Sequence, residues 1–402
     1  MSLHPANPTP AHHHVDSMLA RKFGPEVTNY FSGSTLNRVG FLRDDHSFLS
    51  QALRHPSTHF LPCNGLQPLV HSGLPPAQGR LAFVPLADVE PIVGPDVFAK
   101  TAEEMVRDFD SAVYQPQMVF LGIDERVEQG LTYQSRNRYT GAPFFAVDVT
   151  PRRGVKEACE QAAKKWQSDG MEFAKGRVMD VVHTDAAIYA EARQLLDWNA
   201  RNPFCAGCGH PTLSVNAGFK RTCPPVDNAG ASSVTRPSCA TRTGVSNLAF
   251  PRTDPTVIMA VVNSSGTKIL LGRQRRWPPY WYSTLAGFAE PAESIEDAVR
   301  REVHEESGIR VGRVVIHSTQ PWPYPASLMI GAIGQAIPEG ETIDLGHDPE
   351  LDDAKWFDLE EVRNALKVGT SGLGEEAGSE YKEGALRVPP STAIANRLMT
   401  AA

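Results

Sequence analysis

Apolar residues fall in short runs along this chain, and their spacing predicts alternating strands and helices. In the first half, RLAFVPL at 80–86, MVFLGID at 118–124 and FFAVDV at 144–149 read as strands between helical patterns such as 101–113. A longer helix spans 184–200, opened by Thr184 and Asp185. In the second half, 256–263 and 267–273 flank Ser264, Ser265 and Gly266 as the arms of a hairpin. Strands follow at 311–317 and 327–336, and a short helix at 392–399. Residues 1–25 read as disordered, and the stretch 366–388, rich in glycine and glutamate, as a mobile surface insert.

One helix breaks the amphipathic rule. It starts at Ser294, with Asp297 placed for a capping box, and stops at Gly308. With Ile295 at zero and about 100° per residue, Ala298, Val299 and Val303 form a stripe near about −60°, 40° and 80°. Glu302, Glu305 and Glu306 fall near about −20°, −80° and 20°, so two carboxylates continue the apolar stripe and the third borders it. A run of glutamates is ordinarily a solvated helix face. Placed on a buried stripe, three like charges raise one another's pKa and are costly to desolvate unless a hard cation neutralises them. Oxygen-only ligands favour Mg²⁺ or Mn²⁺.

The full stretch reads Gly287-x5-Glu293-x7-Arg301-Glu302-Val303-x-Glu305-Glu306-x-Gly308-Ile309, and it resembles the Nudix box at every defined position. The resemblance implies an α/β/α sandwich that hydrolyses a nucleoside diphosphate linked to another moiety. It implies that Glu302, Glu305 and Glu306 are metal ligands, with Glu306 or a neighbouring carboxylate also orienting or deprotonating the attacking water. Arg301 would hold a box glutamate in place, and Glu293 would be an outer partner or a helix-start charge.

Three prolines in 318–327 deny that segment a helix and predict an extended loop bearing aromatic rings. Gln320-Pro321-Trp322-Pro323-Tyr324-Pro325-x-Ser327 resembles the signature of the NADH pyrophosphatase subfamily, with Tyr324 where phenylalanine is common. Gln320, Trp322, Tyr324 and Ser327 are therefore candidate substrate contacts, the rings for flat bases and the hydroxyl for phosphate or ribose. Phe288 is the matching candidate for stacking on a base. The same resemblance places a fourth acidic metal ligand at Glu350, beside Asp352 and Asp353. It also places Ala395 where the backbone touches nucleotide, although 392–399 reads equally well as a plain packing helix.

Four of six cysteines form Cys205-x2-Cys208-x14-Cys223-x15-Cys239, the first pair in a glycine-rich knuckle. Four thiolates make a closed tetrahedral structural Zn²⁺ site. The subfamily carries a zinc ribbon here. This chain departs from it by splitting the second pair with fifteen residues, which leaves His210 as an alternative to Cys239 for the fourth ligand. Cys63 and Cys159 read as unpaired thiols.

Composition adds bounds. With 402 residues, 41% hydrophobic, the chain can bury more than one core. Its net charge of −7 argues against a broad nucleic-acid surface, leaving local groups such as Arg273, Arg275 and Arg276 to meet phosphate. No apolar run approaches the roughly 18 residues of a membrane span. The expected class is α+β, with an N-terminal α+β domain at 26–200, a zinc-ribbon module at 201–250 and a Nudix catalytic domain at 251–402. The expected activity is hydrolysis of NADH or NAD⁺ to nicotinamide mononucleotide and AMP. Removal of NAD caps from RNA by the same chemistry is the enzymatic alternative, and a non-catalytic dinucleotide sensor the alternative of another class. Resemblance implies a homodimer. Cytosol is the default compartment; relatives are also peroxisomal, but the last residues show no Ser-Lys-Leu-like tail.

Overall fold

The computed structural model describes residues 21, 27–75, 78–135, 138–230, 233–243, 249–347 and 350–402. The expected disorder of 1–25 lies, apart from Arg21, outside the described residues. The chain divides into two compact units: among the described residues, Gly33–Arg252 form one, and residues 27–32 join Thr253–Ala402 in the other.

In the first unit, β1 (His59–Asn64), β2 (Gln67–His71), β3 (Met118–Asp124), β4 (Leu131–Gln134), β5 (Arg138–Asp148) and β6 (Met171–Phe173) form one sheet in the order β3-β5-β1-β2-β6, with β4 on β5. β1 and β5 run parallel, which sets Phe60 opposite Phe145 with their rings stacked at 5.6 Å. The helix His183–Arg201 covers β3 and β5, as its apolar length predicts. Two expectations shift. Residues 80–86 make only isolated pairings, Val70 with Leu81 and Phe60 with Val84, because Pro85 caps a helix that begins at Leu86. The helix expected over 101–113 spans only Ala102–Arg107, closed at its start by a Thr101–Glu104 capping box. It ends where Asp108 and Asp110 would place acids against the negative end of a helix dipole.

The cysteine-bearing segment belongs to the same unit. It consists of two small hairpins, β7 (Leu213–Val215) with β8 (Lys220–Thr222), and β9 (Val226–Asp227) with β10 (Val234–Thr235). The second hairpin is the insert that splits the last two cysteines. Buried Arg236 pairs with Asp227 at 2.5 Å, and Asp227 Oδ1 accepts from the Ser111 N–H at 3.0 Å while the Asn228 N–H donates to Phe109 O at 2.8 Å. These bonds fasten the ribbon to the 107–111 loop, so the modules expected at 26–200 and 201–250 form one body.

In the second unit, β11 (Asp254–Val262), β12 (Lys268–Gln274), β13 (Leu285–Phe288), β14 (Val311–Trp322), β15 (Ser327–Ala336) and β16 (Leu351–Asp358) form a mixed sheet ordered β14-β15-β11-β12-β16, with β13 on β11. Alternation along β11 sends Val257, Met259 and Val261 to one core with Ala298, Val299 and Val303. Ile258 and Ala260 face the other core, with Val362, Ala365, Ile394 and Leu398. Helices thus cover both faces, which is the expected α/β/α sandwich. The 318–327 loop is a correction: β14 runs on through Pro321 to Trp322, and only 323–326 turn. An edge strand permits this, since a proline there withholds no ladder bond. The insert expected at 366–388 is narrower at the surface, because 366–368 end the helix Leu359–Val368 while Leu386 and Val388 are buried. Among the described residues no helix is long and apolar enough to cross a membrane.

Candidate active site

The box helix, Ile295–Ser307, begins and ends where its sequence dictates. The Ser294 hydroxyl accepts from the Asp297 N–H at 3.1 Å and donates to the Asp297 carboxylate at 2.8 Å, closing the cap on side chains. Gly308 stops it at φ 73°, a conformation that favours glycine. Ala298, Val299 and Val303 are fully buried, and the helix face they define also buries Glu306 to 3% exposure. Glu302 is mostly covered and Glu305 half exposed.

Arg301 organises the acids. It takes Glu293 in a fork at 2.7 and 2.9 Å, and it donates to Glu302 at 2.9 Å, Glu305 at 3.0 Å and the Phe288 carbonyl at 2.8 Å. Its hydrogen bonds hold the Glu293 carboxyl below the usual range. Glu293 also accepts from the Glu290 N–H at 2.9 Å, so it is both partner and loop tie. Burial instead pushes Glu302 above its ordinary value, and Arg301 only partly offsets this. A carboxylate left short of positive charge, among oxygen donors only, suits a divalent cation.

Glu350, exposed, accepts from Gln274 Nε2 at 2.8 Å, and its charge adds to the upward shift of Glu302. Its neighbours are engaged elsewhere: Asp352 pairs with Arg273, and Asp353 with Lys355 and the Tyr282 hydroxyl. Of the three acids, Glu350 alone forms no ion pair among the described residues. Arg273 is thereby engaged by a carboxylate, whereas Arg275 and Arg276 are exposed, Arg276 donating to Gln274 at 3.0 Å.

Gly287 in β13 has no room for a side chain, since a β-carbon there would overlap the Glu302 carboxylate. Gly287→Ala should therefore displace Glu302 and lower kcat at least tenfold, roughly the cost of mispositioning one charged group, with thermal stability little changed. Steady-state kinetics beside a melting curve check this.

The remaining candidates separate. Phe288 is 59% exposed at the end of β13 and free to stack. Trp322 and Tyr324 lie edge to face at 5.5 Å, each partly exposed. Ser327 is buried at the start of β15, paired with Trp322 and Asp254. Gln320, expected to touch substrate, is 1% exposed and fully engaged: it donates to Tyr30 O and Thr392 O and accepts from the Ile394 N–H, all at 2.9 Å. It is a clamp at the start of the helix Ile394–Ala401. Ala395 sits one residue on, its side chain in the core. The arm at 27–32, expected to open the N-terminal domain, was not foreseen in this unit; Tyr30 and Phe31 carry no motif that predicts it.

The four cysteine sulfurs lie within 4.8 Å of one another, the one such group of potential ligands among the described residues. Cys205 and Cys239 are 3.6 Å apart, Cys208 and Cys223 3.5 Å. The Thr241 hydroxyl reaches both Cys205 and Cys239, and Arg242 donates to the Cys223 sulfur at 3.4 Å. Four convergent sulfurs fit tetrahedral zinc. His210 lies outside this group, its Nδ1 donating to Cys208 O at 3.1 Å, whereas Cys239 lies within it. Cys63 and Cys159 are buried and stand apart from this group.

Three families match consecutive stretches: the NADH pyrophosphatase-like rudimentary NUDIX domain at 57–198, the NADH pyrophosphatase zinc ribbon domain at 200–228, and the NUDIX domain at 252–373. Cys239 lies beyond the matched ribbon, yet the fold returns it to the other three. NAD-capped RNA hydrolase NUDT12 of Homo sapiens is 34% identical over 93% of this chain and 73% of its own length. NAD-capped RNA hydrolase NPY1 of Saccharomyces cerevisiae is 33% identical over 93% of this chain and 94% of its own. An NAD-capped RNA hydrolase of Schizosaccharomyces pombe is 32% identical over 93% and 92%. With a box helix that presents its acids on a sandwich, a ribbon whose four cysteines converge and relatives 33% and 34% identical over 93% of its length, this chain belongs to the Nudix hydrolases of the NADH pyrophosphatase type.

Proposed function

We propose that this chain cleaves the pyrophosphate of NADH and NAD⁺ to nicotinamide mononucleotide and AMP, and that the same site removes NAD caps from RNA 5′ ends. The observation that supports the reading is the presence, within one unit, of both the Arg301-held glutamates and the Trp322–Tyr324 hairpin. Mg²⁺ or Mn²⁺, held by Glu302, Glu305, Glu306 and Glu350, would draw charge from the phosphate oxygens and acidify a water. Glu306, 3% exposed on the box helix, would take the water's proton or orient it. Arg301 would keep Glu302 and Glu305 fixed, so that little reorganisation accompanies reaction. Phe288, Trp322 and Tyr324 would seat the rings of the dinucleotide, the Ser327 hydroxyl and the backbone at Ala395 its phosphate or ribose. Zn²⁺ on the four cysteines is structural.

Mass analysis of NADH digests with Mg²⁺ or Mn²⁺ tests this directly. Reduced nicotinamide mononucleotide and AMP are expected; comparable cleavage of ADP-ribose, or NADH binding without products, would overturn the substrate assignment. For capped RNA, the exposed Arg275 and Arg276 beside Gln274 and Glu350 supply the favouring observation. KM for NAD-capped RNA should rise more steeply with salt than KM for NADH, and Arg275→Ala with Arg276→Ala should remove about two units of that log–log slope at most. Equal salt slopes would detach these arginines from RNA. On the same reading the protein works as a homodimer in the cytosol, which sedimentation and cell fractionation test.

A further inference from the structure

Residues 27–32 are folded onto the aromatic hairpin by an unusual concentration of bonds. Asn29, 2% exposed, donates from its amide to Ser318 Oγ at 3.0 Å and Thr319 O at 2.9 Å, and Gln320 donates to Tyr30 O at 2.9 Å. Three consecutive residues of the edge strand β14 thus hold the arm. The arm turns back on itself, with the Ser32 N–H and hydroxyl both donating to Asn29 O, at 3.1 and 2.5 Å. Between these ties Phe31 adopts φ 71°, a left-handed conformation that a bulky residue avoids unless its surroundings impose it.

The imposed conformation has one visible product. It delivers the Phe31 ring, 2% exposed, edge to face against both Trp322, at 6.0 Å, and Tyr324, at 6.1 Å. Those two rings are themselves 5.5 Å apart, so the three close a triangle in which each fixes the tilt of the other two. Phe31 is the buried corner; Trp322 and Tyr324 keep exposed surface. A segment of the chain more than 280 residues away in sequence therefore backs the candidate substrate wall.

We propose that Phe31 is a positioning residue for the dinucleotide, setting the orientation in which Trp322 and Tyr324 meet its rings. This rests on the reading above that the hairpin receives NADH. Phe31 itself does not touch substrate. Without it, both rings recover rotamer freedom that each binding event must remove again, so the loss falls on substrate binding. The chemistry at Glu302–Glu306 is left alone. The Gln320 amide extends the coupling, because the same side chain that holds the Tyr30 carbonyl also binds Thr392 and Ile394 ahead of the Ala395 backbone.

The test is steady-state kinetics of the full chain with NADH, comparing wild type, Phe31→Ala and Phe31→Leu, with melting curves alongside. Leucine keeps most of the volume and loses the ring, so it preserves the fold while removing the edge-to-face contacts. Both variants should raise KM about tenfold, the effect of re-immobilising two rings on binding, with kcat within about twofold of wild type. A purely structural role would lower the amount of active enzyme, hence apparent kcat, and leave KM unchanged; that result, or wild-type kinetics in both variants, overturns the proposal. A wild-type enzyme that does not cleave NADH overturns the substrate reading and this proposal with it, whereas unchanged KM in the variants of an enzyme that does cleave NADH overturns this proposal alone.

Discussion

Glu306→Gln should reduce turnover of NADH by about 10²- to 10⁴-fold, the range for removing a positioned general base, and leave the melting temperature at or above the wild-type value. The residue is 3% exposed on the box helix, on the face that carries Ala298, Val299 and Val303. Glutamine has the same shape but no charge, so helix packing is retained while the proton acceptor is lost. Replacing a buried carboxylate with a neutral isostere also removes a desolvation cost, which is why stability should not fall. Glu305→Gln serves as a comparison. Its side chain is 46% exposed and already shared with Arg301, so its loss should cost less than that of Glu306. Full activity of Glu306→Gln in saturating Mg²⁺ would remove it from the chemistry.

The second large effect concerns zinc. Cys239→Ser should abolish stoichiometric zinc and lower the melting transition of the first unit by about 10 °C, as expected for losing a few kcal/mol from a body of this size. The effect should reach beyond the ribbon, because the Arg236–Asp227 hairpin between Cys223 and Cys239 holds the 107–111 loop. A chelator should reproduce it. Cys159→Ala, a buried thiol outside the cluster, should keep zinc at one per chain. Metal analysis with calorimetry reads both, and a His210→Ala variant that lost zinc while Cys239→Ser kept it would reverse the assignment.

Local signals were the reliable part of the sequence. Ser294 and Gly308 bounded the box helix, and period-3.6 arithmetic put Glu302 and Glu306 on the buried face, because caps and helical periodicity are set within a few residues. The strand 118–124 and the helix 184–200 were legible for the same reason, within a residue at either end. Where expectation failed, a neighbour overrode a local preference. Pro321 forbids a central strand, but β14 is an edge, so the strand continues to Trp322. The apolar run 80–86 looks like a strand, but Pro85 starts a helix inside it. Gln320 sits in a motif that suggests substrate contact, yet three backbone groups consume its amide.

By itself, the sequence determined that this protein carries a carboxylate-rich box helix, a proline-stiffened segment bearing aromatic rings and four cysteines able to hold zinc. Residue type and short spacing specify each of these. Only the tertiary structure showed which distant groups lie beside them. It gave Asp352 and Asp353 charged partners of their own and set Glu350 against Gln274, and it brought Cys239 home across a fifteen-residue insert. It also folded Phe31 behind Trp322 and Tyr324. Such choices depend on hydrogen bonds and ring contacts between residues far apart in the chain, whose pairing no local pattern encodes.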